Sequence, residues 1–145
     1  MSNQQFHGII SLGLVAAAIV IAATAIFWIS WPWAVVYLLI IAAAPTAILY
    51  AFCAKCPCRE TCGHILPGMA AKLFSRQPGP YSSTELIVVG VSLLLLLGFP
   101  QFWLWQYPGW FIVFWLLNLT ALTQIRSAVC KGCDNVYCPV NRRKI

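Results

Sequence analysis

The chain has 145 residues, 61% of them hydrophobic and only 8% charged, with a mean hydropathy of +0.83 and a formal net charge of +6. A soluble domain carries about 25% charged residues, so this composition excludes a water-soluble globular protein and points to a single membrane unit over residues 1–145. The positive charge does not imply nucleic acid: all nine Lys and Arg lie in Lys55–Arg76 and Arg126–Lys144, each beside an apolar run, where basic residues act as topology determinants.

Ile9–Ile29 is an uncharged run long enough, at 1.5 Å per residue, to cross a hydrocarbon core of about 30 Å. Met1–His7 has no Lys or Arg and makes a poor signal-peptide n-region, so this first span is expected to be retained. Its small residues, Gly13 with Ala17 and Ala18 with Ala22, would allow a neighbouring helix to approach closely. Ser30-Trp31-Pro32-Trp33 predicts a tight interfacial turn. A second span follows over 34–52, with Pro45 as a kink.

Residues 53–83 form the longest polar excursion. Pro67–Arg76 reads as a short surface helix with Met69, Leu73 and Phe74 toward the membrane and Lys72 and Arg76 at the headgroups. Gln77-Pro78-Gly79-Pro80 breaks it. Ser82 and Glu85 have the spacing of a capping box, with Tyr81 and Leu86 placed as a hydrophobic staple. The third span covers 86–105, bent near Gly98 and Pro100, and the turn Gln106-Tyr107-Pro108-Gly109 leads into a fourth over 110–127. The expected fold is therefore an all-α integral membrane protein, a four-helix bundle of two hairpins, each followed by a cytoplasmic cysteine knuckle. The knuckles lie in segments 53–83 and 128–145.

Every Lys and Arg falls on the side of the termini and the central loop. The positive-inside rule then predicts N-in, C-in topology with all cysteines cytoplasmic, as a multi-pass protein of a prokaryotic plasma (inner) membrane. The halves also look alike: Cys53, Cys56 and Cys62 read C-x2-C-x5-C, and Cys130, Cys133 and Cys138 read C-x2-C-x4-C. That similarity suggests parallel repeats about an axis along the membrane normal.

Two C-x2-C pairs from separate segments let thiolates converge on one ion. With Cys58 and His64 the candidate metal ligands are Cys53, Cys56, Cys58, Cys62, Cys130, Cys133, Cys138 and His64; a surface role for His64 is as compatible with its setting as ligation. Iron–sulfur clusters and zinc both accept four thiolates. The Cys-Pro pairs Cys56-Pro57 and Cys138-Pro139, and a bundle that needs no staple, tilt the reading toward an iron–sulfur cluster, with zinc as the alternative. Lys55, Arg59 and Lys131 stand beside the thiols, either offsetting their charge or serving as topology charges.

The spans contain no Asp, Glu, Lys, Arg or His in their cores, which disfavours a proton pathway and a haem with axial histidines. Asn118, Thr120, Thr123 and Gln124 predict interhelical hydrogen bonding, with a quinone headgroup contact the lesser reading. No nucleophile–base pair, phosphate loop or carboxylate dyad marks an autonomous enzyme. The leading expectation is an electron-transfer or redox-complex subunit with a cytoplasmic-face thiolate centre and a cytoplasmic or membrane redox partner. A structural zinc-knuckle protein and a soft-metal handling or transport protein are the alternatives.

Overall fold

An apolar chain in lipid has to satisfy its backbone N–H and C=O groups internally, and helices do so within one segment. The computed structural model describes residues 2–139, which contain helices and turns but no strand. Helix α1 (Asn3–Ile29) runs almost directly into α2 (Trp31–Ile48), which a π-helical turn (Leu49–Cys53) prolongs. A short α3 (Ile65–Ala71) precedes α4 (Ser83–Gly98), α5 (Gln101–Leu104) and α6 (Pro108–Gln124); a second π-helical turn, Ile125–Val129, prolongs α6. Four helices are long and apolar enough to cross a membrane: Asn3–Ile29, Trp31–Cys53, Ser83–Leu104 and Pro108–Val129. By length and composition the chain is a multi-pass membrane protein.

Local signals explain the helix ends. α1 starts six residues ahead of the expected apolar boundary because Ser2 and Gln5 form a reciprocal capping box: Gln5 N donates to Ser2 Oγ at 3.3 Å and Ser2 N to Gln5 Oε1 at 2.9 Å. The Ser82–Glu85 box is present as expected. Tyr81, the proposed staple residue, stacks face to face on Phe52 at 4.5 Å. Near Pro100 the third span breaks into α4 and α5. Proline has no N–H to pair with the Leu96 carbonyl, and the buried Tyr37 hydroxyl donates to that carbonyl at 2.9 Å.

α1 packs most extensively on α6, and α2 on α4. The hydrophobic core lies toward the end where α1 meets α2: Ala18, Ala22, Ala25 and Ile26 of α1 meet Ala34 and Tyr37 of α2, with Trp103, Leu104 and Phe114. Small residues do let α1 approach its neighbours there, through Ala18, Ala22 and Ala25. Gly13 and Ala17 do not take part: both are exposed, and a Cβ added at Gly13 meets nothing within 4 Å. At this end Trp28, Trp31, Phe102 and Trp105 are exposed, the aromatic belt expected at a membrane–water interface.

The polar residues of α6 depart from expectation. Asn118 Nδ2 donates to Phe114 O and Thr123 Oγ1 to Thr120 O, each at 2.8 Å, so both are satisfied within their own helix rather than across helices. The Gln124 Oε1 and His7 Nδ1 atoms are buried without a hydrogen-bond partner among the described residues.

Candidate metal centre

The first cysteine segment begins where α2 unwinds. Its π-helical turn closes with Ala54 N donating to Leu49 O at 2.8 Å, and such bulges often occur at functional sites. The next turn, Cys53-Ala-Lys-Cys56, closes with Cys56 N on Cys53 O at 3.2 Å. The second segment repeats this construction: after the π-helical turn Ile125–Val129, Cys133 N donates to Cys130 O, also at 3.2 Å. Thus both C-x2-C pairs sit on similar turns at the ends of similar helices.

The two segments touch. Asn135 Nδ2 donates to Cys56 Sγ at 3.3 Å and to Tyr81 Oη at 3.0 Å. The Cys58 thiol hydrogen-bonds Cys133 across the segments, and Cys62 lies near enough to Cys56, Cys133 and Cys130 for their charges to interact. All seven cysteines are half-buried free thiols. Backbone amides point at the sulfurs: Cys58 N–H at Cys56, His64 N–H at Cys62 and Asp134 N–H at Cys58.

Burial is the largest influence on Cys56, Cys58, Cys62 and Cys130 and favours the protonated form. It pushes Cys58 and Cys130 up to about 11, helped for Cys58 by the neighbouring Cys133 and Cys56 and for Cys130 by Cys138, Cys133 and Cys62. Cys56 and Cys62 are also raised, against the pull of their N–H donors. Cys56, Cys58 and Cys62 therefore favour the neutral thiol while their sulfurs already face hydrogen-bond donors.

His64 sits at the edge of the first segment. Its Nδ1 lies 3.3 Å from Gly8 O, and because a carbonyl only accepts, Nδ1 carries the proton and Nε2 the lone pair. Burial lowers its pKa and the Gly8 bond opposes that shift. The same contact joins α1 to the site: a Cβ at Gly8 would stand 2.1 Å from Gly63 O, and one at Gly63 would stand 2.8 Å from Val129 Cγ1. The N-terminal turns of α1, the loop before α3 and the end of the fourth span therefore meet at one end of the molecule. Sequence reasoning did not identify Gly8 and Gly63 as contact residues; Gly63, next to a candidate ligand, was the available signal.

Of the cations around the thiols, Arg126 lies near enough to Cys130 to favour its thiolate against the effect of burial, whereas Lys55, Arg59 and Arg76 have other partners. Lys55 Nζ and Arg76 Nη2 pair with Glu85 at 2.8 and 2.9 Å. Arg59 donates to the carbonyls of Ala54 and Arg76. Arg76 also lies over the Tyr50 ring at 4.6 Å, so it braces the loop rather than reaching for headgroups. Glu85 was legible as a capping residue but not as the anchor of two cations from the cysteine loop. In α3, Gly68 and Ala71 are buried while Leu66 and Met69 are exposed, as is Leu73 beyond the helix end, so α3 stops at Ala71 short of the expected Arg76; Phe74 is half-buried, edge-on to Tyr50. Arg142, Arg143 and Lys144 of the basic tail lie outside the described residues.

Among the described residues no group of three His, Cys, Asp or Glu side chains is arranged to hold one ion as it stands. The donor set nonetheless has the chemistry of a soft-metal site: several sulfurs from two segments, with N–H donors aimed at them. Comparison of the chain with known protein families, curated proteins and solved structures gives no match.

Proposed function

We propose that this is a membrane metal protein whose thiols form one thiolate centre at the cysteine end of a bundle of two helical hairpins. The observation that carries the reading is the meeting of sulfurs from separate segments, with Asn135 of one bonded to Cys56 of the other. Donors aimed at sulfur also support it, because N–H···S bonds stabilise the charge that a metal-bound thiolate carries. In this reading the two C-x2-C turns act as knuckles, and rotation of cysteine side chains closes the ligand set around the metal. The similar turns and the pairing of α1 with α6 and α2 with α4 support an internal repeat, since a twofold axis would exchange those pairings.

The cysteine end faces the cytoplasm of a prokaryotic plasma membrane. Lys55, Arg59, Lys72, Arg76 and Lys131 gather there, while exposed Trp residues mark the opposite rim. The cytoplasm keeps thiols reduced and available to metal.

The favoured centre is an iron–sulfur cluster, making the chain an electron-transfer or redox-complex subunit; when bound, the cluster would supply a one-electron couple. The chain's own part is to hold the sulfurs, exclude solvent from them by burial and present them at the membrane surface to a redox partner. A structural zinc knuckle is the second reading, favoured by the backbone amides two residues on that donate to Cys56 and Cys62. Soft-metal transport ranks below both, because no Cys or Met path runs through the spans. Protein purified without oxygen decides between the first two. A broad brown absorption that dithionite bleaches, with iron and sulfide, is expected; a colourless protein with stoichiometric zinc selects the structural reading, and one that binds neither metal refutes both.

A further inference from the structure

Cys56 is one of two sulfurs of the first segment that the C-terminal segment reaches, through Asn135, the other being Cys58. Asn135 is almost wholly buried, at 1% exposure, and burying a side-chain amide is costly unless its atoms are bonded. Its Oδ1 accepts Tyr137 N at 3.0 Å, which fixes the amide orientation and turns Nδ2 toward Cys56 Sγ and Tyr81 Oη. The Tyr81 hydroxyl in turn donates to Cys56, and the stack of Tyr81 on Phe52 holds it there. Cys56 Sγ thus has an amide N–H, a phenol O–H and the Cys58 backbone N–H directed at it. An apolar residue could pack the same space without the desolvation cost; an amide oriented this way serves the sulfur.

We infer that Asn135, assisted by Tyr81, is a positioning residue for the thiolate centre: it aims Cys56 Sγ and takes up part of the charge that a metal-bound sulfur carries. The inference rests on the reading that these thiols bind metal. It adds that the centre's properties depend on an uncharged residue that is not itself a ligand. Outer-shell partners of this kind typically cost about 10–100-fold in metal affinity when removed.

The test uses the full chain in detergent, titrated anaerobically with cobalt(II), whose sulfur-to-metal charge-transfer absorption reports thiolate ligation. Asn135→Asp keeps the shape and the acceptor for Tyr137 N–H but replaces the donor facing sulfur. It should weaken cobalt binding by about 10–100-fold and reduce the charge-transfer intensity at saturation; Tyr81→Phe should do the same to a smaller extent. Full intensity and unchanged affinity in Asn135→Asp, with only thermal stability lowered, would overturn the inference by making Asn135 a plain structural tie. A second readout needs no metal: mass-spectrometric iodoacetamide labelling, site by site, of wild type and Asn135→Asp. Selective slowing at Cys56, with Cys130 and Cys58 unaffected, supports the inference; uniform change or no change refutes it. Should the wild type take up no cobalt, the metal reading falls, while the labelling pattern still decides whether Asn135 positions Cys56.

Discussion

Two glycines of α1 offer a matched pair for testing how the first helix supports the cysteine end. At Gly8 an added Cβ would lie 2.1 Å from Gly63 O, 2.8 Å from Gly63 C and 3.2 Å from His64 N. Ordinary carbon–oxygen contact needs upward of about 3 Å, so roughly 1 Å of displacement is required, and both neighbours are backbone. Such overpacking costs about 1–3 kcal/mol. The cheaper movement is of the 62–64 loop, because shifting α1 would disturb its packing on α6. That loop carries Cys62, the His64 N–H directed at it and the His64 Nδ1 bond to Gly8 O. Gly8→Ala should therefore lower stability by that amount and loosen metal retention with little loss of helix content. Gly13→Ala, in the same helix with open space around it, should be neutral or stabilising by up to about 1 kcal/mol from helix propensity. Denaturation followed by circular dichroism in one detergent, with metal content measured alongside, compares them. If Gly8→Ala is as stable and as fully loaded as Gly13→Ala, the proposed contact between α1 and the site is wrong.

Three further outcomes are expected. Glu85→Gln removes the shared partner of Lys55 and Arg76, all three side chains being less than a third exposed. It should cost about 2 kcal/mol, between the surface and fully buried values, and should raise the rate at which a protease cuts the 53–82 loop; an unchanged cleavage rate would show that the loop does not need this anchor. Tyr37→Phe strands the Leu96 carbonyl beside Pro100 and should cost about 1 kcal/mol without altering metal content, since it lies in the core remote from the cysteines; thermal melts and metal analysis of the same sample check both halves. Because burial holds Cys58 and Cys130 up to about 11, these thiols are protonated at neutral pH and must lose protons on ligation, so affinity should rise with pH. Calorimetry in buffers of different ionisation enthalpy would count the released protons, and pH-independent uptake would contradict protonated ligands.

Much of this protein can be read locally. A run such as Ile9–Ile29 has one low-energy solution in lipid, so span number and approximate position follow from composition and length, as the four long helices bear out. The Ser82–Glu85 cap depends on neighbours three residues apart and was equally legible. The site was legible as an inventory of thiols and spacings, because C-x2-C geometry is local too.

Partners distant in sequence were not legible. Nothing in the order of residues pairs Asn135 with Cys56, Glu85 with Lys55 and Arg76, or the Tyr37 hydroxyl with the carbonyl that Pro100 leaves unpaired. The same holds for the choice of Ala18 and Ala22 over Gly13 and Ala17 as a packing face, since each pair has the same small-residue spacing. Helix rotation and the closing of loops onto one another depend on contacts summed over the whole bundle. Those contacts exist only once the four helices have assembled, whereas backbone satisfaction in an apolar solvent is decided within each segment alone.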